Sequence, residues 1–248
     1  MLNSKILFAT TTRNPSKKFI KSIKKMYKIG KKFSQFKILI IESDSSQKYH
    51  SYLNSFLGNN NIEIIKLGNL KSQIKYGDLR TARIAFARNT YLRYLKKHKK
   101  YQTYDYLIAF DSDGISNLIS YNKICEAISI KKDWSAQFPN QLIFYYDIYA
   151  LRSKNWVEEN YKITRDRYLS EGFSPKDAIV KSLSNKIIHI NKNRGLIPVQ
   201  SAFGGFGIYK VSRIGNSEYI GTNNGSSKCE HVSFNKEINK NYPDTLFI

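Results

Sequence analysis

The 248-residue chain predicts an α/β sandwich, with helices on both faces of a central mixed, mostly parallel sheet. Three observations predict it. Apolar runs of strand length alternate with longer helical patterns through the first half, as in β–α–β units with right-handed crossovers. The apolar fraction of 41% and aromatic fraction of 14% supply a packed core and exclude wholesale disorder. The apolar run 106–110 stops abruptly at Asp111-Ser112-Asp113-Gly114, and ligands of open α/β sheets sit beyond the carboxyl ends of strands.

The elements follow in order. Residues 6–9 (Ile6, Leu7, Phe8, Ala9) read as a short strand. Pro15 opens a helix to about residue 33, with Phe19, Ile20, Ile23, Met26 and Tyr27 as its apolar stripe and lysines opposite. A second strand, 36–41, ends in Glu42-Ser43-Asp44-Ser45-Ser46, and a helix over 49–57 leads to a third strand over 62–67. A long helix spans 78–97 and carries Arg80, Arg83 and Arg88. After the fourth strand, 106–110, residues 118–129 form an amphipathic helix on Leu118, Ile119, Ile124, Ala127 and Ile128.

The second half is less regular. Strand-like runs cover 134–138, 142–148 and 186–190, and helical patterns cover 155–169 and 175–183. A glycine cluster, Phe203-Gly204-Gly205-Phe206-Gly207, interrupts the segment 198–210. No repeat, low-complexity tract or linker stands out, so a single domain over 1–248 is expected.

The net charge of +22 rests on lysine. Lys17, Lys18, Lys21, Lys24, Lys25, Lys28, Lys31 and Lys32 crowd one stretch, and Lys96, Lys97, Lys99 and Lys100 another. Such clusters suit phosphate backbones, anionic headgroups or a diphosphate. The abundance of Asn, Ile, Tyr and Lys, typical of AT-rich coding sequence, offers compositional drift as an equal explanation. No nucleic-acid-binding motif accompanies the charge, so no specific nucleic acid partner is expected, and a basic nucleic-acid-binding protein stands as the alternative reading of the charge and the 18 tyrosines. Cys125 and Cys229 do not make a disulfide framework or a Cys-x-x-Cys pair. No apolar run approaches a membrane span, and residues 1–12 lack a signal-peptide pattern. The expected location is cytoplasmic, with peripheral contact to an anionic membrane as a further expectation.

Chemistry concentrates in a few places. Asp111 and Asp113, spaced i, i+2 after a strand, offer hard oxygen ligands to Mn²⁺ or Mg²⁺; a solvated turn with a helix cap is the bland reading. Thr10, beyond the first strand, and Glu42 and Asp44, beyond the second, stand at the same sheet edge as Asp111 and Ser112. Carboxylates there suit ribose hydroxyls or a base. Arg83 and Arg88, followed by Asn89, carry guanidinium forks that match diphosphate oxygens. Gly204 and Gly205 permit close backbone approach to a substrate. Glu230 beside His231 pairs a candidate general base with an imidazole that Mn²⁺ accepts.

Two other chemistries fit poorly. The loop Thr10-Thr11-Thr12-Arg13-Asn14-Pro15 lacks the glycines of a nucleotidyltransferase phosphate loop, and Ile115-Ser116 lacks the Thr or Val expected in a haloacid-type phosphatase.

In order along the chain, Asp111-Ser112-Asp113, Gly204-Gly205 and Cys229-Glu230-His231 resemble the GT-A class of nucleotide-sugar glycosyltransferases. With Tyr145-Tyr146-Asp147-Ile148-Tyr149-Ala150-Leu151-Arg152 between them, the layout is similar to the fungal capsule-type α-mannosyltransferases. The resemblance covers most of the chain by motif order. It implies a GT-A-like, Rossmann-type α/β/α sandwich, with a nucleotide-sugar half (1–114) and an acceptor half (115–248). It implies a hexosyltransferase using Mn²⁺ or Mg²⁺, a UDP- or GDP-sugar donor, and a glycan or other hydroxyl acceptor. By position, Asp113 would be the direct metal ligand, Asp111 would contact ribose or metal, Glu230 would handle the acceptor, and His231 would join the metal. The class usually places that histidine further from the glutamate than here.

Overall fold

The fully apolar cores of the predicted strands become the centre of one sheet in the computed structural model, which describes residues 3–248. β1 (Lys5–Thr12), β2 (Gln35–Glu42), β3 (Ile62–Lys66) and β4 (Tyr106–Phe110) lie side by side in the order β3-β2-β1-β4, all parallel. Ile6 to Ala9 and Ile38 to Ile41 are wholly buried, because strands covered on both faces read as continuous rather than alternating apolar runs. β1 runs further than the apolar residues alone indicate, since Thr10, Thr11 and Thr12 pair with Ile40, Ile41 and Glu42.

Beyond β4 the direction reverses. β5 (Ala136–Gln137) and β6 (Phe206–Lys210) extend the sheet, with β6 antiparallel to both β4 and β5. β7 (Thr222–Asn223) and β8 (Ser226–Ser227) form a separate small hairpin, and β9 (Leu246–Phe247) closes the sheet edge parallel to β5. Strands from both halves of the chain therefore share one seven-stranded sheet, ordered β3-β2-β1-β4-β6-β5-β9.

Helices cover both faces. α1 (Lys17–Gly30) turns Phe19, Ile23 and Met26 toward Ile6, Phe8, Ile38 and Ile40. α2 (His50–Asn54) and α3 (Leu70–Gln73) are short. α4 (Arg80–Lys97) packs Ala85, Tyr91, Leu92 and Leu95 against the opposite face, on Leu7, Ala9, Leu39 and Ile41. That even–odd split of side chains between two cores is what pleating dictates. The brief α5 (Lys99–Gln102) follows, and α6 (Tyr121–Ile128) joins the α1 side through Ile124 and Ile128. α7 (Tyr161–Ser170) and α8 (Pro175–Ser182) pair at the periphery, α9 (Val211–Ile214) is a single turn, and α10 (Glu230–Asn241) buries Val232, Phe234 and Ile238 beside α4. No helix among the described residues is long and apolar enough to cross a membrane.

Several local expectations are corrected. The helix expected over 118–129 starts at Tyr121, because the Ser120 hydroxyl accepts the Lys123 N–H as a cap. The helix expected over 155–169 starts at Tyr161, capped by Asn160, while Ser153 and Val157 form a tight bridge before it. The runs 142–148 and 186–190 are not strands of the sheet; they meet at a bridge between Tyr145 and Ile188 and where His189 Nδ1 contacts the Ile143 carbonyl. Tyr145 is buried there, whereas Leu142, Ile143 and Phe144 remain exposed.

Candidate active site

A cleft of about 500 Å³ opens at the carboxyl ends of β1, β2 and β4. Its walls include Thr11 to Ser16 at the end of β1 and in the loop beyond it, Asp44 after β2, Arg80, Arg83 and Arg88 of α4, the turn Asp111-Ser112-Asp113, and Asp147, Phe203, Glu230 and His231. This is where open α/β sheets bind ligands. α1 begins at the same rim, with Pro15 and Ser16 in the wall and Ser16 capping its first turn. The unpaired N–H groups of such a helix end favour anions.

Backbone and side-chain hydrogen bonds hold the turn that carries the two aspartates. The Asp111 N–H donates to the Gly205 carbonyl at 2.8 Å, and the Ser116 hydroxyl donates to the Asp111 carbonyl at 2.9 Å. Gly114 sits at φ +108°, a value that lets the chain turn back under the aspartates. One Asp113 oxygen accepts the Ile115 N–H at 3.2 Å, and the side chain is otherwise exposed.

Arg88 organises the interior wall. It is 3% exposed, and it ion-pairs with Asp111 at 3.0 Å and with Glu230 at 3.3 Å. Its guanidinium lies over Phe203 at 4.9 Å and over Tyr219 at 5.7 Å, so a delocalised, weakly hydrated cation is held between rings. Its pKa is raised well above the ordinary value: burial opposes the charge, and Tyr91, Asp111 and Glu230 outweigh it. Burial raises the pKa of Asp111 and of Glu230, with Arg88 pulling each back.

Asp147, which the sequence offers only as the group near the anomeric carbon under retention of configuration, faces the same space. Its Oδ2 accepts the Gly204 N–H at 2.9 Å and its Oδ1 the Ala150 N–H at 3.3 Å. Burial pushes its pKa up, and these backbone donors counter it. Gly204 (φ +63°) thus binds the Asp147 carboxylate, while Gly205 (φ +80°) holds the Asp111 backbone. A side chain on Gly205 would strike Ile115, at 2.5 Å from Cγ2, and disturb the turn that holds Asp111. Arg80, Arg13, Tyr149 and Phe203 are further wall residues, named in the sequence as parts of longer motifs but not assigned to a site there. The acid within an otherwise apolar run, Tyr146-Asp147-Ile148, was the available signal for Asp147.

The remaining candidates fall in three places. Asp44, Arg83 and Ser112 line the cleft. Asp44, at φ +57°, accepts the Lys71 N–H at 3.0 Å and lies 3.6 Å from the Arg83 Nε. Both also border an adjoining recess of about 280 Å³ with Arg13, Ser45, Ser46, Asn69 and Lys71. Glu42 and Thr10 are buried beneath the cleft floor and are not part of its lining. Glu42 instead accepts the Ser45 N–H at 3.1 Å and stabilises its own loop. Asn89, expected near the donor, clamps the backbone of Tyr219 through two hydrogen bonds of 2.8 Å.

His231 is 3% exposed, its ring stacked on Phe203 at a 3.6 Å centroid distance. Burial and the Arg88 charge hold its pKa well below 6.5, so it is neutral. Neither ring nitrogen has a hydrogen-bond partner among the described residues. The three-residue metal set expected from sequence (Asp111, Asp113, His231) does not assemble, as no group of three His, Cys, Asp or Glu suited to a metal occurs among the described residues. The stack fixes the imidazole in the wall of the cleft that Asp111 and Asp113 also line. Asp111 and Asp113 by themselves suit a hard cation that takes its other ligands from water and phosphate, as Mg²⁺ commonly does.

No family model matches the chain, and no curated protein matches its sequence. Solved structures do. Glucosyl-3-phosphoglycerate synthase from Mycobacterium tuberculosis in complex with UDP is 8% identical, with a TM-score of 0.50 over 98% of this chain and 68% of that one. A mannosyltransferase from Pyrobaculum calidifontis in complex with GDP-Man and Mn²⁺ is 12% identical, with a TM-score of 0.48 over 100% and 57%. TarS from S. aureus in complex with UDP-GlcNAc is 11% identical, with a TM-score of 0.48 over 98% and 55%. The chain spans little more than half to about two thirds of the length of these proteins. With the mixed sheet order and the acidic turn after β4, the likeness to the synthase identifies the architecture: this chain has a GT-A-type α/β fold.

Proposed function

We propose that this chain is a glycosyltransferase that moves a sugar from a nucleoside-diphosphate sugar to a hydroxyl acceptor with the help of a divalent cation. The observation that carries the reading is the convergence of Asp111 and Asp113, Arg88–Glu230 and Asp147 on one cleft beyond the carboxyl ends of a parallel sheet. A GT-A-type fold supports it, and the synthase with which the fold is shared was crystallised with UDP.

In this reading Asp111 and Asp113 hold Mn²⁺ or Mg²⁺. The cation supplies charge neutralisation at the diphosphate. Arg80, Arg83 and the first turn of α1 border the same space and add donors to phosphate oxygens. The recess bounded by Arg13, Asp44 and Asn69 receives the base or ribose. Glu230 is the general base on the acceptor hydroxyl: its buried carboxylate has a raised pKa, and Arg88 fixes its orientation. Asp147, held by the Gly204 and Ala150 amides, sets the acceptor side of the sugar pocket.

The test is turnover of a donor panel. Purified protein, Mn²⁺ and simple glycoside acceptors should release nucleoside diphosphate from a UDP- or GDP-sugar, with the rate falling on chelation. Absence of release from every UDP-, GDP- and CDP-sugar tried, with and without Mn²⁺, would overturn the assignment.

A further inference from the structure

We propose that the face carrying Leu118, Leu142, Ile143 and Phe144 docks this chain onto an anionic lipid bilayer. These side chains are 76%, 79%, 64% and 53% exposed. Soluble surfaces seldom gather aliphatic and aromatic side chains this way without a partner.

The loop is built to project them. Tyr145 is fully buried and its N–H donates to the Ile188 carbonyl at 2.8 Å. On the other flank, the Gln141 amide donates to the Gly204 carbonyl at 2.9 Å. His189 Nδ1 meets the Ile143 carbonyl at 2.8 Å. The backbone is therefore fixed at both ends while Leu142, Ile143 and Phe144 point outward.

The Gly204–Gly205 turn joins this loop to the second apolar tip. Gln141 lies against Gly204, and Ile115 packs on Gly205. The turn that carries Ile115 and Leu118 is tied in turn to α1: the Ser22 hydroxyl donates to the Asn117 side chain at 3.2 Å, and the Lys25 amine donates to the Asn117 carbonyl. α1 contains no acidic residue. Lys17, Lys18, Lys21, Lys24 and Lys28 are exposed along it, and the pKa of Lys25 is lowered by burial and by the nearby Lys21 charge.

Apolar tips edged by uncompensated lysines match the boundary between headgroups and acyl chains. A nucleic acid would engage the lysines and could stack a base on Phe144, but has no counterpart for protruding Leu118, Leu142 and Ile143. The surface also adjoins the turns that hold Asp111 and Asp147, so a bilayer seated there lies beside the cleft. The proposal stands on surface composition and does not depend on the transfer reaction.

Co-sedimentation with vesicles tests it. The full chain should bind vesicles of phosphatidylcholine mixed with phosphatidylserine far more tightly than phosphatidylcholine alone, with salt weakening the binding. Leu142→Ser/Ile143→Ser/Phe144→Ser should reduce partitioning by about tenfold or more. Gln in place of Lys21, Lys24, Lys28 and Lys31 should cost about fivefold per lysine near the surface. In the full chain, Phe144→Trp should add a blue-shifted emission component on vesicles, and circular dichroism should report native folds for all variants. Overturning results are equal binding to neutral vesicles, undiminished binding of the folded triple Ser variant, or transfer of the chain from vesicles to single-stranded RNA in competition.

Discussion

Arg88→Met is expected to destabilise the fold by about 3–5 kcal/mol, the usual cost of leaving buried charges without their partner. Arg88 is the common partner of Asp111 and Glu230 and fills the slot between Phe203 and Tyr219. Its loss leaves two carboxylates facing each other in a partly desolvated wall. Denaturant unfolding should show the drop, and thermal unfolding should move down by roughly 10 °C for a chain of this size. Arg88→Lys should fall between parent and Met, because a single ammonium does not reproduce the fork that reaches both acids. Arg88→Met/Glu230→Gln should recover part of the loss, since one uncompensated charge is then removed. If Arg88→Met unfolds as the parent does, Arg88 is not the keystone of the wall.

The second large effect concerns rate. Glu230→Gln should lower kcat by roughly 10²–10⁴-fold with the donor KM little changed, as expected when a general base is removed without loss of donor binding. Because Gln retains the size of Glu and a hydrogen-bonding oxygen for Arg88, the fold should survive. Asp147→Asn, measured beside it, separates the roles. Asp147 is engaged by two backbone N–H groups, so a positioning role predicts a raised acceptor KM, with the pH profile of kcat unchanged. Full activity in Glu230→Gln would remove Glu230 from the mechanism.

The parallel half of the sheet was legible because β1, β2 and β4 each contain an unbroken apolar segment (6–9, 38–41 and 107–110), the mark of strands buried on both faces. The antiparallel half was less so. β5 and β9 are two-residue strands whose pairing is decided by partners far along the chain, and the loop 142–148 has strand composition but joins no strand of the sheet and forms a single backbone bridge, Tyr145 to Ile188. The acidic turn after β4 was visible as a motif, yet its support was not: Gly205 binds Asp111 from 94 positions away along the chain, and Gly204 binds Asp147 from 57. The same limit explains Glu42, whose carboxylate a local loop amide captures, and Asn89, which serves Tyr219 rather than a ligand. Arg88 was chosen for diphosphate oxygens; in the fold its fork is already occupied by Asp111 and Glu230.

The most direct test of the central claim is calorimetric titration of UDP and GDP into the protein with and without Mn²⁺, repeated on Asp113→Asn. The carboxylate provides charge that the near-isosteric amide lacks, and the exposed Asp113 side chain makes no ion pair among the described residues, so the variant should stay folded. The account predicts Mn²⁺-dependent binding of one diphosphate to the parent and its loss in Asp113→Asn. Equal, metal-independent binding by both proteins, or binding by neither, would contradict it.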